Sequence, residues 1–167
     1  MIVYLAFIAW FVADQRQGLV QIVREMEIDQ ANQNALASIA EGVTHSLFET
    51  ELLLSSPDYG RSHPLTYADV AQHFDDTVEA LNAVAGTNPA LIQEAANFRQ
   101  AAQVMRGMPT AIELAQMQQG QQRTLKTLEE LSGGFQKQSQ ELAQQYRDSQ
   151  QFVSAFAIAA NVVGALV

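Results

Sequence analysis

The chain has 167 residues, a formal net charge of −9 and no cysteine. It is long enough for a domain with a real core, but has no thiol for a disulfide, a metal site or a nucleophile. No Lys/Arg cluster is available to neutralise phosphates, so a nucleic-acid partner is excluded.

Four prolines and nine glycines in a sequence rich in Ala, Gln, Leu and Glu favour helix over sheet. The first segment, "MIVYLAFIAWFVA" from Met1 to Ala13, carries no charged or amide side chain. From Phe152 to Val167 only Ser154 and Asn161 are polar. As helices these runs span about 20 and 24 Å, short of the roughly 30 Å of a bilayer core. A secretory signal peptide is one reading of the first run, but no basic n-region precedes it. Buried core helices are a second reading of both runs. Two partial transmembrane helices, residues 1–13 and 152–167, form the third, and the chain then reads as a piece cut inside the membrane at both ends.

Between them, residues 14–151 read as one helical domain. The first long helix keeps an apolar heptad frame through Leu19, Ile22, Met26, Leu36, Ala40, Val43, Leu47 and Leu54, interrupted only at Asp29 and Gln33. "SSPDYGRSHP" ends it in a loop. Thr66 then serves as N-cap with Asp69 three residues on. The second helix presents Tyr67, Val70, Phe74, Val78, Leu81 and Ala85, and closes at Gly86. Asn88 and Pro89 open the third, with Leu91, Ala95, Phe98, Ala102 and Met105 at its face. "RGMPT" makes the next turn, and a last long helix starts near Thr110. Its adjacent glycines, Gly133 and Gly134, cost about 1 kcal/mol each in a helix interior. Leu128, Phe135 and Leu142 nevertheless keep their heptad phase across them, so a continuous helix with a weak or kinked point is expected.

These lengths predict an all-α, antiparallel up-down four-helix bundle with two long and two short helices, flanked by the two partial transmembrane helices. The four-helix layer comprises roughly residues 36–56, 66–86, 89–107 and 110–130. A two-helix stalk of roughly residues 15–36 and 130–152 needs a partner chain to bury its seam. Asp29 and Gln33, near the glycine pair by this count, make a polar layer that sets register or loosens the stalk; the alternative is that both touch water.

This order of membrane helix, long helix, two short helices, long helix and membrane helix resembles the periplasmic four-helix-bundle sensory domain of bacterial chemoreceptors and sensor histidine kinases. The resemblance covers the whole chain and rests on architecture rather than a signature motif. It implies a homodimer anchored in the inner membrane with its central domain in the periplasm. It further implies that a small-molecule or protein signal shifts one helix against another, and that the output lies in a cytoplasmic part. Chemoreceptors for amino acids carry arginines on the outer part of the first long helix. Here Leu36 to Thr50 contains none, and Arg16 and Arg24 lie near the membrane end, so no ligand class carries over. A structural or assembly protein with the same helical hairpin is the competing reading.

His45 and His73 fall at similar heights, with Glu49, Asp69 and Asp76 near them. Such a group suits a divalent metal or a titration near neutral pH, but no HExxH-type spacing supports it and a solvated helix face with ordinary charges is the preferred reading. Tyr59, Arg61 and His63 in the tip loop are candidate partner contacts. Asp29, Gln33, Gly133 and Gly134 are the candidate signalling residues of the stalk. There is no phosphate loop, no nucleophile triad and no paired catalytic carboxylate, so neither enzyme activity nor a cofactor is expected.

Overall fold

The computed structural model describes residues 2–56 and 66–166, and the side chains of 6–56 and 66–160. The fold is all-α, with four helices among the described residues: α1 (Ile2–Ser55), α2 (Tyr67–Ala85), α3 (Pro89–Arg106) and α4 (Ala111–Leu166). No strand occurs among the described residues. The flanking transmembrane helices expected from the apolar end runs are not found among the described residues. Each run is instead the end of a long helix, because nothing at Ala13–Asp14 or Gln151–Phe152 breaks the backbone pattern. Among the described residues no helix is long and apolar enough to cross a membrane. Gly133 and Gly134 lie inside α4, as the preserved heptad phase required.

The chain divides into two compact units. The central unit is Asn32–Gly133; the terminal unit combines Met1–Ala31 with Gly134–Val167. The division falls near the stalk junction expected from the helix lengths. The physical reason is that α2 and α3 lie wholly within residues 32–133, and a compact unit extends only as far as their packing does.

The central unit has a heptad core. On α1 the buried residues Leu36, Ile39, Val43, Ser46, Thr50 and Leu53 form a stripe at strictly alternating spacings of three and four, with Glu49 buried beside it. On α4 they are Leu114, Met117, Gln121, Thr124 and Leu128, with the same alternation. Both stripes are apolar at their ends and polar in the middle. All five predicted face residues of α3 are buried, and so are five of the six predicted on α2, with Tyr67 half-buried. Phe74 and Phe98 meet edge to face, ring centroids 5.5 Å apart, and join the two short helices at mid-length.

Helix starts are secured by side chains. Thr66 Oγ1 accepts from Asp69 N at 3.3 Å while Thr66 N donates to Asp69 Oδ2 at 2.8 Å, completing the capping box. Asn88 Oδ1 accepts from Ala90 N at 3.0 Å, with Pro89 at the first helical position. A second capping box, absent from the expectations above, opens α4. Thr110 N donates to Glu113 Oε2 at 2.7 Å and Glu113 N donates to Thr110 Oγ1 at 3.3 Å. The turn before it places its left-handed residue at Met108 (φ 59°) rather than at Gly107. Gly107 answers a different need, since a Cβ there would meet Val104 O at 3.3 Å.

The terminal unit consists of the N-terminal part of α1 and the C-terminal part of α4. Phe11 contacts Phe156 (centroids 4.3 Å) and Phe152 (6.0 Å), and Leu142 is buried. Large apolar side chains remain exposed along its length, including Phe7, Trp10, Val20, Ile28, Phe152 and Ile158.

The hydrogen bonds from the Thr66 side chain and then its backbone hold the Asp69 carboxyl below its ordinary range, and those from the Thr110 backbone and then its side chain do the same for Glu113. A carboxyl with a lowered folded-state pKa contributes stability above its ordinary range and loses it as pH falls through the lowered value. Thr66→Ala and Thr110→Ala should each cost about 1 kcal/mol in urea unfolding at neutral pH. The penalty should shrink on acidification below the ordinary carboxylate range, where the boxes are already broken in the parent chain.

Candidate functional site

The structure brings His45, Glu49 and His73 together at the edge of the α1–α2 contact. His45 and Glu49 stand four residues apart on α1 and therefore share a face. Glu49 lies next to Thr50 of the core stripe, which carries its carboxylate inward to 4% exposure. Each carboxylate oxygen then meets a different imidazole. His45 Nε2 lies 3.2 Å from Oε1, and His73 Nδ1 lies 2.8 Å from Oε2. The two rings are 5.5 Å apart between centroids. His45 is largely exposed and His73 partly so, so the group is buried at its acidic end and open to water at its basic end.

The burial has a clear chemical consequence. A carboxylate removed from water must be hydrogen-bonded or bound to a cation. With Glu49 ionised, both contacts are hydrogen bonds when His45 carries hydrogen on Nε2 and His73 on Nδ1. The three ligand atoms lie within 4.8 Å of one another, and they form the one such group of three metal-ligating side chains among the described residues.

Two residues named with this group stand outside it. Asp76 accepts from Gln72 Nε2 at 2.8 Å on the exposed face of α2. Asp69 is held in its capping box, close enough for His73 to favour its charged form. Of the stalk candidates, Asp29 is buried at the heptad position shared with Leu36, Val43 and Thr50, and its Oδ2 has no hydrogen-bond partner. Gln33 is half-buried. Gly133 and Gly134 are exposed, and a Cβ at either would meet nothing within 4 Å. Tyr59, Arg61 and His63 lie outside the described residues.

Sequence reasoning missed the polar layer beside the site. Gln121 Nε2 donates to Ser46 Oγ at 3.1 Å and Thr50 Oγ1 at 3.3 Å, tying α4 to α1 inside the core. Those hydroxyls themselves donate to Val43 O and Ser46 O of their own helix. Thr124 Oγ1 donates to Glu94 Oε2 at 2.7 Å, tying α4 to α3. Gln121 Oε1 is buried without a partner. Hydropathy gives no signal for these residues; only their place in the three-four spacing does. A groove of about 360 Å³ lies along α3 and α4, with Asn97, Gln100, Gln116 and Arg123 on its rim and Gln121 and Thr124 also lining it.

No family model, curated protein or solved structure matches the chain.

The Gln121 layer costs as well as stabilises, because one carbonyl oxygen is desolvated without return. Gln121→Met keeps the side-chain length and leaves the Ser46 and Thr50 hydroxyls their backbone acceptors. It should leave stability within about 1 kcal/mol of the parent or raise it, whereas Gln121→Ala should lose more than that through the cavity. Urea unfolding midpoints at equal slope distinguish the two.

Proposed function

We propose that the chain is the extracytoplasmic signal-input module of a bacterial transmembrane receptor of the chemoreceptor or sensor histidine kinase type. It works as a homodimeric antiparallel up-down bundle, anchored at both apolar ends in the inner membrane, with the central unit in the periplasm. A ligand or partner on the central unit stabilises one of two arrangements of the paired helices, and α4 carries the change toward the membrane.

The observation that supports this reading best is the composition of the terminal unit. It contains only two helix segments, too few to bury their own apolar faces. Phe7, Trp10, Phe152 and Ile158 face out where no charged side chain occurs, which suits lipid. Val20, Val23 and Ile28 are exposed among charged residues, which suits a second copy of the chain. Asp29 on the inward face weakens that packing, as a polar heptad position does when it serves register rather than stability. Both α1 and α4 belong to both units, so each unit is built partly from the same two helices.

Single cysteines at Leu19 and Met26 should form interchain disulfides in membrane vesicles. The chain fused ahead of a chemoreceptor's cytoplasmic part should give an output that Gly133→Ala with Gly134→Ala shifts, since the pair removes about 2 kcal/mol of helix weakness without a clash. Absence of cross-linking at both positions, or recovery of the chain away from the membrane fraction, overturns the anchored dimer. A cross-linked dimer whose output ignores the glycine pair overturns signalling and leaves a structural scaffold.

A further inference from the structure

We infer that His45, Glu49 and His73 form a binding site for a first-row divalent transition-metal ion of the zinc type. The donor set is two imidazole nitrogens and one carboxylate oxygen, which suits zinc, nickel or copper and disfavours magnesium and calcium. Ligand atoms around a tetrahedral zinc at about 2.1 Å stand roughly 3.4 Å from one another. The contacts at Glu49 are 3.2 Å and 2.8 Å, and all three donors fall within 4.8 Å. Closing on an ion therefore takes side-chain shifts of about 1 Å, which the exposed His45 ring makes without disturbing the core.

Three features separate this group from an ordinary surface cluster. Glu49 is buried, so its charge is not satisfied by bulk water. Each of its oxygens is already committed to a separate imidazole, so the three donors converge before any ion arrives. The donors come from two helices, so an ion would clamp α1 to α2. The imidazole hydrogens now facing Glu49 would move to the far ring nitrogens, and no net proton release is required. The open side at the histidines leaves water as the remaining ligand and allows the ion to exchange. Asp69, near His73 and held ionised by its cap, adds negative potential at the rim.

The site deepens the signalling reading by supplying what the central unit binds; the binding itself does not rest on that reading, though its effect on the terminal unit does. Isothermal titration of the full-length chain in detergent, with zinc, nickel and magnesium chlorides, tests it directly. One zinc or nickel ion should bind per chain, and magnesium should not compete. Glu49→Gln and His73→Gln should each weaken zinc binding by at least about a hundredfold, the upper end of what loss of a mere supporting group costs. His45→Gln should weaken it too, and zinc should raise the melting temperature of that variant less than it raises the parent's. Zinc affinity that survives His45→Gln and His73→Gln, or equal binding of magnesium, overturns the site. Zinc binding with the expected variant pattern but without output in the receptor fusion would sink the signalling proposal alone.

Discussion

The demand that a buried carboxylate be answered organises the central unit around Glu49. The residue sits one position from the α1 core stripe, and the close packing of α2 against that stripe removes it from water. Two imidazoles from different helices answer the charge, one on each oxygen. Directly inward, the same level of the core is polar rather than apolar: Ser46 and Thr50 on α1 face Gln121 on α4. A hydrocarbon core at this level would be the easier way to gain stability. The fold instead holds a polar stripe whose donors reach hydroxyls and backbone carbonyls and whose one carbonyl oxygen goes unmet. Such a layer ties the helices in one register.

The terminal unit answers a different constraint. Two helix segments cannot enclose a core, and here they bury little beyond Leu142 and the inward-facing Asp29 among the described residues. Aromatic contacts around Phe11 hold the apolar ends together while the outer faces stay uncovered. The proposed dimer and membrane supply those faces with partners. In that setting Asp29, with an unpartnered oxygen at a heptad core position, is the costliest residue of the unit and therefore the one whose burial most depends on the arrangement adopted.

Much of the fold was legible because amphipathic periodicity and caps are local. Leu91 to Met105 on α3 could be read directly, and so could the Thr66 box and the Asn88–Pro89 start. Continuity through Gly133 and Gly134 was legible because packing phase at Leu128, Phe135 and Leu142 outweighs two weak helix formers. The end runs read as partial transmembrane helices, yet no helix among the described residues is long and apolar enough to cross a membrane. Each run continues its long helix, since hydropathy marks a change of surroundings and not a break in the backbone. At the site, helix length alone put His45 and His73 at one height, but which carboxylates join them depended on azimuth. Glu49 turns inward beside Thr50, while Asp76 turns outward to Gln72. The Ser46–Thr50–Gln121 layer was hidden because polar side chains carry no hydropathy signal, and at Ser46 the neighbouring Leu47 drew the heptad assignment. Alternation of three and four through Val43, Ser46, Thr50 and Leu53 was the available signal.

Taken together, the proposed ion site and the proposed signalling role require that occupancy of the Glu49 group be felt in the terminal unit. The most direct measurement is the rate of interchain disulfide formation by Leu19→Cys in membrane vesicles, taken with and without zinc, in the parent background and with Glu49→Gln added. The account predicts a zinc-dependent change in rate in the parent and none in the Glu49→Gln background. A rate that zinc leaves unchanged in the parent, or changes equally in both, would contradict it.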